Sequence, residues 1–360
     1  MSFNLQRSLT SNVNKQYWGA PSSSVDWCEM NYEVTTFIAE YFNTISSFAM
    51  AVVGMLGVVL HPWAEMRFHM AFQTTVAVGL GSVAFHCTLG KFSQALDEVP
   101  MLYSALAFTY IGICERYSPS ARVRRFLAIG LTFHAIFTTL LVTMSEGFWQ
   151  FFLFHVSFGT AQLFAIVQVI CIYRDREIPH QFKSGIIQRS EITESSKHRK
   201  HTHDRKISLE NAILSETKQL LNTHRDCADS ISDHSVYDNQ RACANDPVVL
   251  TFQRGILSYG VATFCWLTDM LFCELVNPHY KGAILPFNPQ LHAWWHIFVS
   301  IGLYHLALLT LAARVDSKYG AGRAVLRFWF NIIPYIKIVP KLPDTAFAAR
   351  PSVKVADELD

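Results

Sequence analysis

The sequence describes an apolar chain that carries little charge. Its 360 residues are 51% hydrophobic, 13% aromatic and 16% charged, with a formal net charge of +2. In soluble proteins about a quarter of the residues are charged, so this composition argues against a soluble domain. The small and scattered positive charge gives no support for nucleic-acid binding. The polar first thirty residues lack the apolar core of a cleavable signal peptide, so we expect the first spanning helix to direct membrane insertion.

Seven apolar segments are long enough to cross a bilayer, so the predicted fold class is an all-α membrane protein with seven transmembrane helices. The segment between the fourth and fifth spans is so short that it predicts a tight helical hairpin, in which Gly147 suits the turn. The third span is short. The predicted spans cover residues 36–60, 68–89, 96–114, 126–144, 148–173, 256–276 and 291–313.

The basic residues predict the orientation of the chain in the membrane. Lys and Arg are frequent in the connections after the third and fifth spans and after the seventh, whereas the connections on the other side hold only Lys91 and Lys281. Since basic loops stay in the cytosol, we expect a lumenal N-terminus and a cytosolic C-terminus.

The spans divide the chain into a lumenal N-terminal segment (1–35), a seven-helix transmembrane domain (36–313) and a cytosolic tail (314–360). Residues 174–251 interrupt the domain as a polar insert that we expect to be disordered, apart from one short amphipathic helix at 207–221. Its histidines, His198, His201 and His203, are interpreted as part of a solvated loop rather than a metal site. The basic, aromatic tail is compatible with a position on the cytosolic membrane face.

The seventh span begins with His292 and His296, which lie one turn apart on one helix face. This is the spacing at which a helix offers two nitrogen ligands to one metal ion. A third donor, His86, lies in the second span, one turn after Ser82. Asp97 follows at the start of the third span, and the topology places all of these residues at one depth in the lumenal half.

Three neutral imidazoles leave a tetrahedral zinc ion one open position for water. Asp97 could then act as general base and acid, and Ser82 could bind an oxyanion, which together suit the hydrolysis of a lipid. The alternative is a set of isolated buried histidines bonded to backbone carbonyls. The remaining histidines within the spans are interpreted as structural: His134, His155 and His305.

An acidic segment, DWCEMNYE at residues 26–33, precedes the first span. Its carboxylates and carboxamide are hard oxygen ligands suited to calcium, but it lacks the glycine and the length of an EF-hand loop. Spacing alone therefore favours a solvated acidic patch. Glu40, at the entry to the first helix, needs a partner that a calcium ion would provide.

Three runs of the sequence resemble the alkaline ceramidases, which belong to a superfamily of seven-helix membrane hydrolases that includes adiponectin-type receptors. The runs are DWCEMNYEVTTFIAEYFNTISS, GSVAFHCTLGKFSQALDEVPML and LHAWWHIFVSIGLYH. The resemblance implies zinc bound by His86, His292 and His296, with Ser82 and Asp97 as catalytic residues. It also implies a substrate contact by Trp295 and a set of calcium ligands: Asp26, Trp27 through its carbonyl, Glu29, Asn31 and Glu40.

The function that follows is the cleavage of a ceramide amide into a sphingoid base and a fatty acid, in the endoplasmic reticulum or Golgi membrane. Two other classes remain open. One is a receptor or scaffold with a structural zinc, which has no need of Ser82 and Asp97 beside an open position. The other is a metal transporter, which needs polar residues along a whole path rather than at one end.

The eight cysteines form no C-x-x-C pair, which argues against a thiolate zinc site. Cys28 and Cys273 both fall on the lumenal side, where thiols are oxidised, so we predict a disulfide between them. Two free thiols are the alternative, and alpha carbons more than about 7 Å apart would exclude the bond.

Overall fold

The computed structural model describes residues 16–196, 247–320 and 322–339, and within these ranges the chain forms seven helices followed by a β-hairpin. The helices are α1 (Tyr41–Leu60), α2 (Met66–Thr88), α3 (Lys91–Tyr117), α4 (Ala121–Met144), α5 (Gly147–Ser196), α6 (Pro247–Val276) and α7 (Leu291–Tyr319). The strands are β1 (Ala324–Trp329) and β2 (Ile333–Ile338).

Six of these seven helices are long and apolar enough to cross a membrane, and α3 is the exception. The α3 sequence carries charged residues at both ends, from Lys91 and Asp97 to Glu115 and Arg116. It packs against α2, α4 and α5, so neighbouring helices surround it. The predicted tight turn before α5 is confirmed, since Gly147 adopts a φ of 56°.

The structure corrects the predicted bounds of the polar insert. Helix α5 continues to Ser196 and α6 begins at Pro247, so residues 174–196 and 247–251 are helical. The predicted amphipathic helix at 207–221 and the histidines at 198, 201 and 203 lie outside the described residues.

The start of the tail differs from the prediction, because a short β-hairpin follows the all-α bundle. Helix α7 ends at Tyr319, and β1 and β2 then pair antiparallel, with Ala324 opposite Ile338 and Trp329 opposite Ile333. Ala324 and Ile336 are buried in the main apolar core, beside the last turns of α7. The hairpin therefore closes the end of the bundle that holds the C-terminus of α7.

Glycines set the close approach of α1, α2 and α3. A Cβ atom at Gly79 would overlap the backbone of Ala51 in α1, and one at Gly81 would overlap the carbonyl of Leu96 in α3. The backbones thus meet without intervening side chains. This packing brings the C-terminal end of α2 beside the N-terminal ends of α1 and α3, where the candidate site lies.

Candidate metal centre

The three predicted histidines come together at one end of the bundle. His86 lies in the last turn of α2, while His292 and His296 lie in the first two turns of α7. Their donor nitrogens all lie within 4.8 Å of one another, and all three side chains are buried. In the part of the chain that the structure describes, no other set of three or more His, Cys, Asp or Glu residues is grouped closely enough to hold a metal ion.

Two of these donor nitrogens have no hydrogen-bond partner. The Nε2 atom of His86 and the Nδ1 atom of His292 are buried and unpaired, and the Nε2 atom of His296 has only a distant contact, 3.4 Å from the Ser82 hydroxyl. A buried polar atom without a partner is unfavourable, so the arrangement fits a ligand that accepts several nitrogen donors. A metal ion at the centre of the three rings meets this requirement.

The other ring nitrogens of two histidines are held by α1. The Nδ1 atom of His86 lies 2.5 Å from Oε2 of Glu40, and the Nδ1 atom of His296 lies 2.8 Å from Oγ of Ser46. Glu40 is placed by the backbone, since its amide N–H donates to the His86 carbonyl at 2.9 Å. A carboxylate that accepts from one imidazole nitrogen fixes the ring and directs the other nitrogen to the metal.

The resemblance predicted Glu40 as a calcium ligand only, and its contact with His86 was not predicted. No spacing rule relates the residues, because they are 46 positions apart and meet only when the start of α1 packs on the end of α2. The signal that could have found it is the cost of a carboxylate at the entry to a membrane helix, which demands a partner.

Ser82 and Asp97 lie beside the three histidines. The Ser82 hydroxyl accepts a hydrogen bond from the Ser47 hydroxyl at 3.0 Å and is a hydrogen-bonding neighbour of the Asp97 carboxyl group. Oδ1 of Asp97 is buried without a partner. The site thus holds a hydroxyl and a carboxyl oxygen that are available to a water molecule or a substrate.

Two tryptophans flank His292. The indole of Trp27 stacks on the imidazole with ring centroids 3.7 Å apart, and the indole of Trp295 stacks on it at 5.0 Å. Both indoles also line the adjoining cavity. The substrate contact that the resemblance implies for Trp295 stays a prediction.

The cavity of about 450 Å³ adjoins the histidine centre and extends between α3, α5, α6 and α7. His292, Asp97 and Glu98 line it near the metal centre, and apolar side chains make up most of its wall. Leu163 of α5 lines it although 64% of this side chain is exposed, so the cavity reaches the outer surface of the bundle. Further apolar lining comes from Met50, Val78, Phe85, Met101, Phe154, Phe158, Ile166, Val299 and Leu303.

The acidic segment folds against the start of α1. Glu29 accepts hydrogen bonds from the amides of Phe42 at 2.7 Å and Asn43 at 2.9 Å, so it satisfies amides in the first turn of the helix. The side-chain nitrogen Nδ2 of Asn31 donates to Oδ1 of Asp26 at 3.2 Å, and the side-chain oxygen Oδ1 of Asn31 is buried without a partner. Oxygen donors of the segment therefore gather in one place.

The carboxyl groups of this segment are hard to ionise together. Burial, with the charge of Glu40 as a second cause, raises the pKa of Glu29 to about 8, and burial also raises the pKa of Glu40. Clustered carboxylates and an unpaired amide oxygen are the donors that calcium prefers, so a divalent cation could be held here.

Cys28 and Cys273 are joined by a disulfide, with alpha carbons 5.4 Å apart. Around it, Asn277 donates to the Cys28 carbonyl at 2.8 Å, and Asp269 accepts from the Cys28 amide at 3.0 Å. Asp269 also accepts from the backbone amide of His292 at 3.3 Å. Asp269 thus connects the acidic segment to the start of α7.

A buried three-histidine centre beside an apolar cavity, in a bundle of helices long and apolar enough to cross a membrane, defines a membrane protein with a site that could hold one metal ion. The family model named Ceramidase matches residues 19–337. The chain belongs to this family, whose members are hydrolases.

Relatives match over most of their length. Alkaline ceramidase 3 of Mus musculus is 26% identical, covering 91% of this chain and 96% of its own. A putative alkaline ceramidase of Dictyostelium discoideum is 32% identical, covering 81% and 86%. An alkaline ceramidase of Saccharomyces cerevisiae is 25% identical, covering 84% and 82%.

Proposed function

We propose that this protein is a zinc-dependent ceramide amidohydrolase that releases a sphingoid base and a fatty acid in sphingolipid metabolism. The observation that carries the proposal is the position of the three-histidine centre beside a cavity with mostly apolar walls. A ceramide has the same division, with an amide and hydroxyls at one end and hydrocarbon chains at the other. The family to which the chain belongs supports this substrate class.

Nε2 of His86, Nε2 of His296 and His292 would hold the metal ion. Three imidazoles are typical of a catalytic zinc site that keeps one position open. A zinc ion bound there supplies Lewis acidity, which polarises the amide carbonyl and lowers the pKa of a water molecule to about 7. Glu40 and Ser46 orient two of the rings through their Nδ1 atoms.

Asp97 is proposed as the group that moves protons. Its unpaired Oδ1 can take a proton from the water that attacks the carbonyl carbon, and can then give that proton to the amide nitrogen as the C–N bond breaks. The products are the amine and the carboxylic acid. Ser82 can donate a hydrogen bond to the oxyanion that develops on the carbonyl oxygen.

The acidic segment is proposed to bind calcium through Asp26, the Trp27 carbonyl, Glu29, Asn31 and Glu40. Its support is the gathered oxygen donors and the unpaired Asn31 oxygen. A cation there would hold Glu40 in the position from which it orients His86. The site end of the bundle is proposed to face the lumen of the endoplasmic reticulum or Golgi, with the C-terminus of α7 in the cytosol.

The test is the substitution Asp97→Asn in the purified full chain, assayed with labelled ceramides. We expect hydrolysis to fall by about 10²–10⁴-fold, the usual contribution of a proton-transfer group, while the zinc content measured by mass spectrometry stays the same. Glu146→Gln is the control, since this side chain is 79% exposed in the α4–α5 turn.

Undiminished hydrolysis by Asp97→Asn would remove this residue from the mechanism. A wild-type protein that binds zinc but hydrolyses no ceramide would favour the alternative of a receptor or scaffold with a structural zinc.

A further inference from the structure

The tip of the β-hairpin is a cluster of apolar side chains without a cover among the described residues. Phe330 is 76% exposed and Ile332 is 79% exposed, and the neighbouring Phe328 and Trp329 are both more than two-fifths exposed. We call these four residues the hairpin tip. The hairpin that carries them follows the C-terminus of α7, at the end of the bundle opposite the three histidines.

The local turn does not explain these residues. Phe330 and Asn331 have φ values of 49° and 60°, and the Ile332 amide donates to the Trp329 carbonyl at 3.1 Å. A turn of this kind favours Asn or Gly at such positions, and a phenylalanine with positive φ is strained. An exposed aromatic kept at a strained position points to a contact outside the turn.

Contacts with α7 show how deep the hairpin lies. The Tyr304 hydroxyl donates to the Pro334 carbonyl at 2.8 Å, and Tyr304 precedes the end of α7 at Tyr319 by about four turns. The ion pair between Arg314 and Glu65, 2.5 Å long, marks the polar end of the bundle. Since Tyr304 lies roughly 15 Å before Arg314 along the helix, the tip end of β2 reaches well past the charged residues toward the apolar part of the bundle.

The outer edges of the hairpin are partly satisfied by side chains, as a hairpin in an apolar environment requires. Pro334 has no N–H, and its carbonyl accepts from Tyr304. The Ile336 amide donates to Nε2 of His61 at 3.1 Å, and the Ala324 amide donates to Asp316 at 3.0 Å. Such pairing is unnecessary where water can reach a strand edge.

We propose that the hairpin tip inserts into the bilayer leaflet at the end of the bundle opposite the three histidines. Trp63 and Met66 are also exposed apolar residues, and they follow His61, whose ring accepts the Ile336 amide of the hairpin. Arg327 and Lys337 are exposed on the strands behind the tip, where they can contact lipid phosphates. The occupant of this surface is the phospholipid bilayer, and the inference does not depend on the proposed activity.

The test measures the emission of Trp329 in the full-length protein, reconstituted in phosphatidylcholine–phosphatidylserine vesicles. The difference spectrum between the wild type and Trp329→Phe isolates this indole. We expect blue-shifted emission that loses most of its intensity when the lipids carry brominated acyl chains, with little loss on addition of aqueous iodide. Phe330→Trp adds an indole to the tip. The emission that it adds to the wild-type spectrum should also be blue-shifted and be quenched by brominated lipids but little by iodide.

Two results would overturn the proposal. Quenching by iodide but not by brominated lipids would place the tip in water. Blue-shifted emission that neither quencher affects would show that protein covers the tip, from another part of the chain or from a second molecule.

Discussion

Glu40 contacts both the acidic segment and the three-histidine centre. Its Oε1 atom accepts from the backbone amide of Trp27 at 3.3 Å. Its Oε2 atom lies 2.5 Å from Nδ1 of His86 and accepts from the side-chain nitrogen Nδ2 of Asn43 at 3.0 Å. A change in the acidic segment can therefore move the Glu40 side chain and, through it, the His86 ring. The same contacts explain why a buried carboxylate is retained at the entry to α1.

We predict that Glu40→Gln weakens zinc binding. The amide keeps the shape of the side chain but loses the charge that strengthens His86 as a ligand, and changes in such supporting contacts lower metal affinity by about 10–100-fold. The measurement is competition with a chromophoric zinc chelator. Glu33→Gln serves as the control, because its side chain is 54% exposed in the same segment. Equal zinc affinity in wild type and Glu40→Gln would mean that His86 is positioned by packing alone.

The chemistry-bearing residues were predictable from the sequence to different degrees. Helical spacing predicts that His292 and His296 share one helix face. The order of the spans predicts that Ser82, His86 and Asp97 lie at the same depth. Both signals are local in the sequence, so they can be read without knowing how the helices pack. The contacts of Glu40 and Asp269 were not predictable in this way, since each depends on how separate helices and the acidic segment pack.

At the scale of helices, the approach of α2 to α3 places Ser82 beside Asp97. Gly81 precedes Ser82 directly and lies against the backbone of Leu96, which precedes Asp97. The absence of a side chain at Gly81 therefore determines how closely Ser82 and Asp97, the two proposed catalytic residues, can approach each other.

We predict that Gly81→Ala separates α2 from α3 and lowers both stability and ceramide hydrolysis. Forcing a methyl group into a packed contact costs about 1–3 kcal/mol. The measurements are thermal unfolding in detergent and hydrolysis of ceramide by the surviving folded protein. Gly130→Ala is the matched control in α4, because a Cβ there meets no atom within 4 Å. Similar results for the two variants would contradict the close-packing argument.

The hairpin is attached to the bundle through a neutral histidine. His61 donates from Nδ1 to the Gly57 carbonyl at 3.0 Å and accepts the Ile336 amide at Nε2. Burial, with the charge of His69 as a smaller cause, lowers the pKa of His61 from 6.5 to about 4. A protonated ring would lose the bond to Ile336, because both of its nitrogens would then be donors.

We predict that this attachment makes the protein less stable in acid. As pH falls below about 6.5, His61 becomes protonated in the unfolded chain but stays neutral in the folded chain. The free energy of unfolding should therefore fall by roughly 2 kcal/mol between pH 7 and pH 5 because of His61. His61→Gln, which can replace both hydrogen bonds, removes this contribution. The measurement is thermal unfolding at the two pH values. The wild type should lose more stability than the variant, and equal losses would show that folding does not lower the pKa of His61.

At the scale of the whole molecule, the two ends of the bundle have different chemistry. The metal centre, the acidic segment and the disulfide share one end, while Arg116, Arg314 and Lys318 lie at the other with the hairpin. The number and order of the helices could be predicted because apolar length is a strong local signal. The spanning character of α3 was harder to judge, because the carboxylates Asp97 and Glu98 lower its hydropathy. The hairpin was missed because two six-residue strands, one with a proline, give a weak pattern beside a long helix.

The Cys28–Cys273 bridge gives a prediction for the whole chain, because it joins residues 245 positions apart. Breaking it removes the covalent link between the acidic segment and α6. The loss of such a bond lowers the free energy of unfolding by about 2–5 kcal/mol. Cys28→Ser, Cys273→Ser and the double variant should therefore lose the same stability in thermal unfolding, since each removes one shared bond. Cys171→Ser, at a free half-buried cysteine in α5, is the control. If the double variant instead loses the sum of the single losses, the two sulfur atoms stabilise the fold separately, and the acidic segment is held by Asp269 and Asn277 without a covalent link.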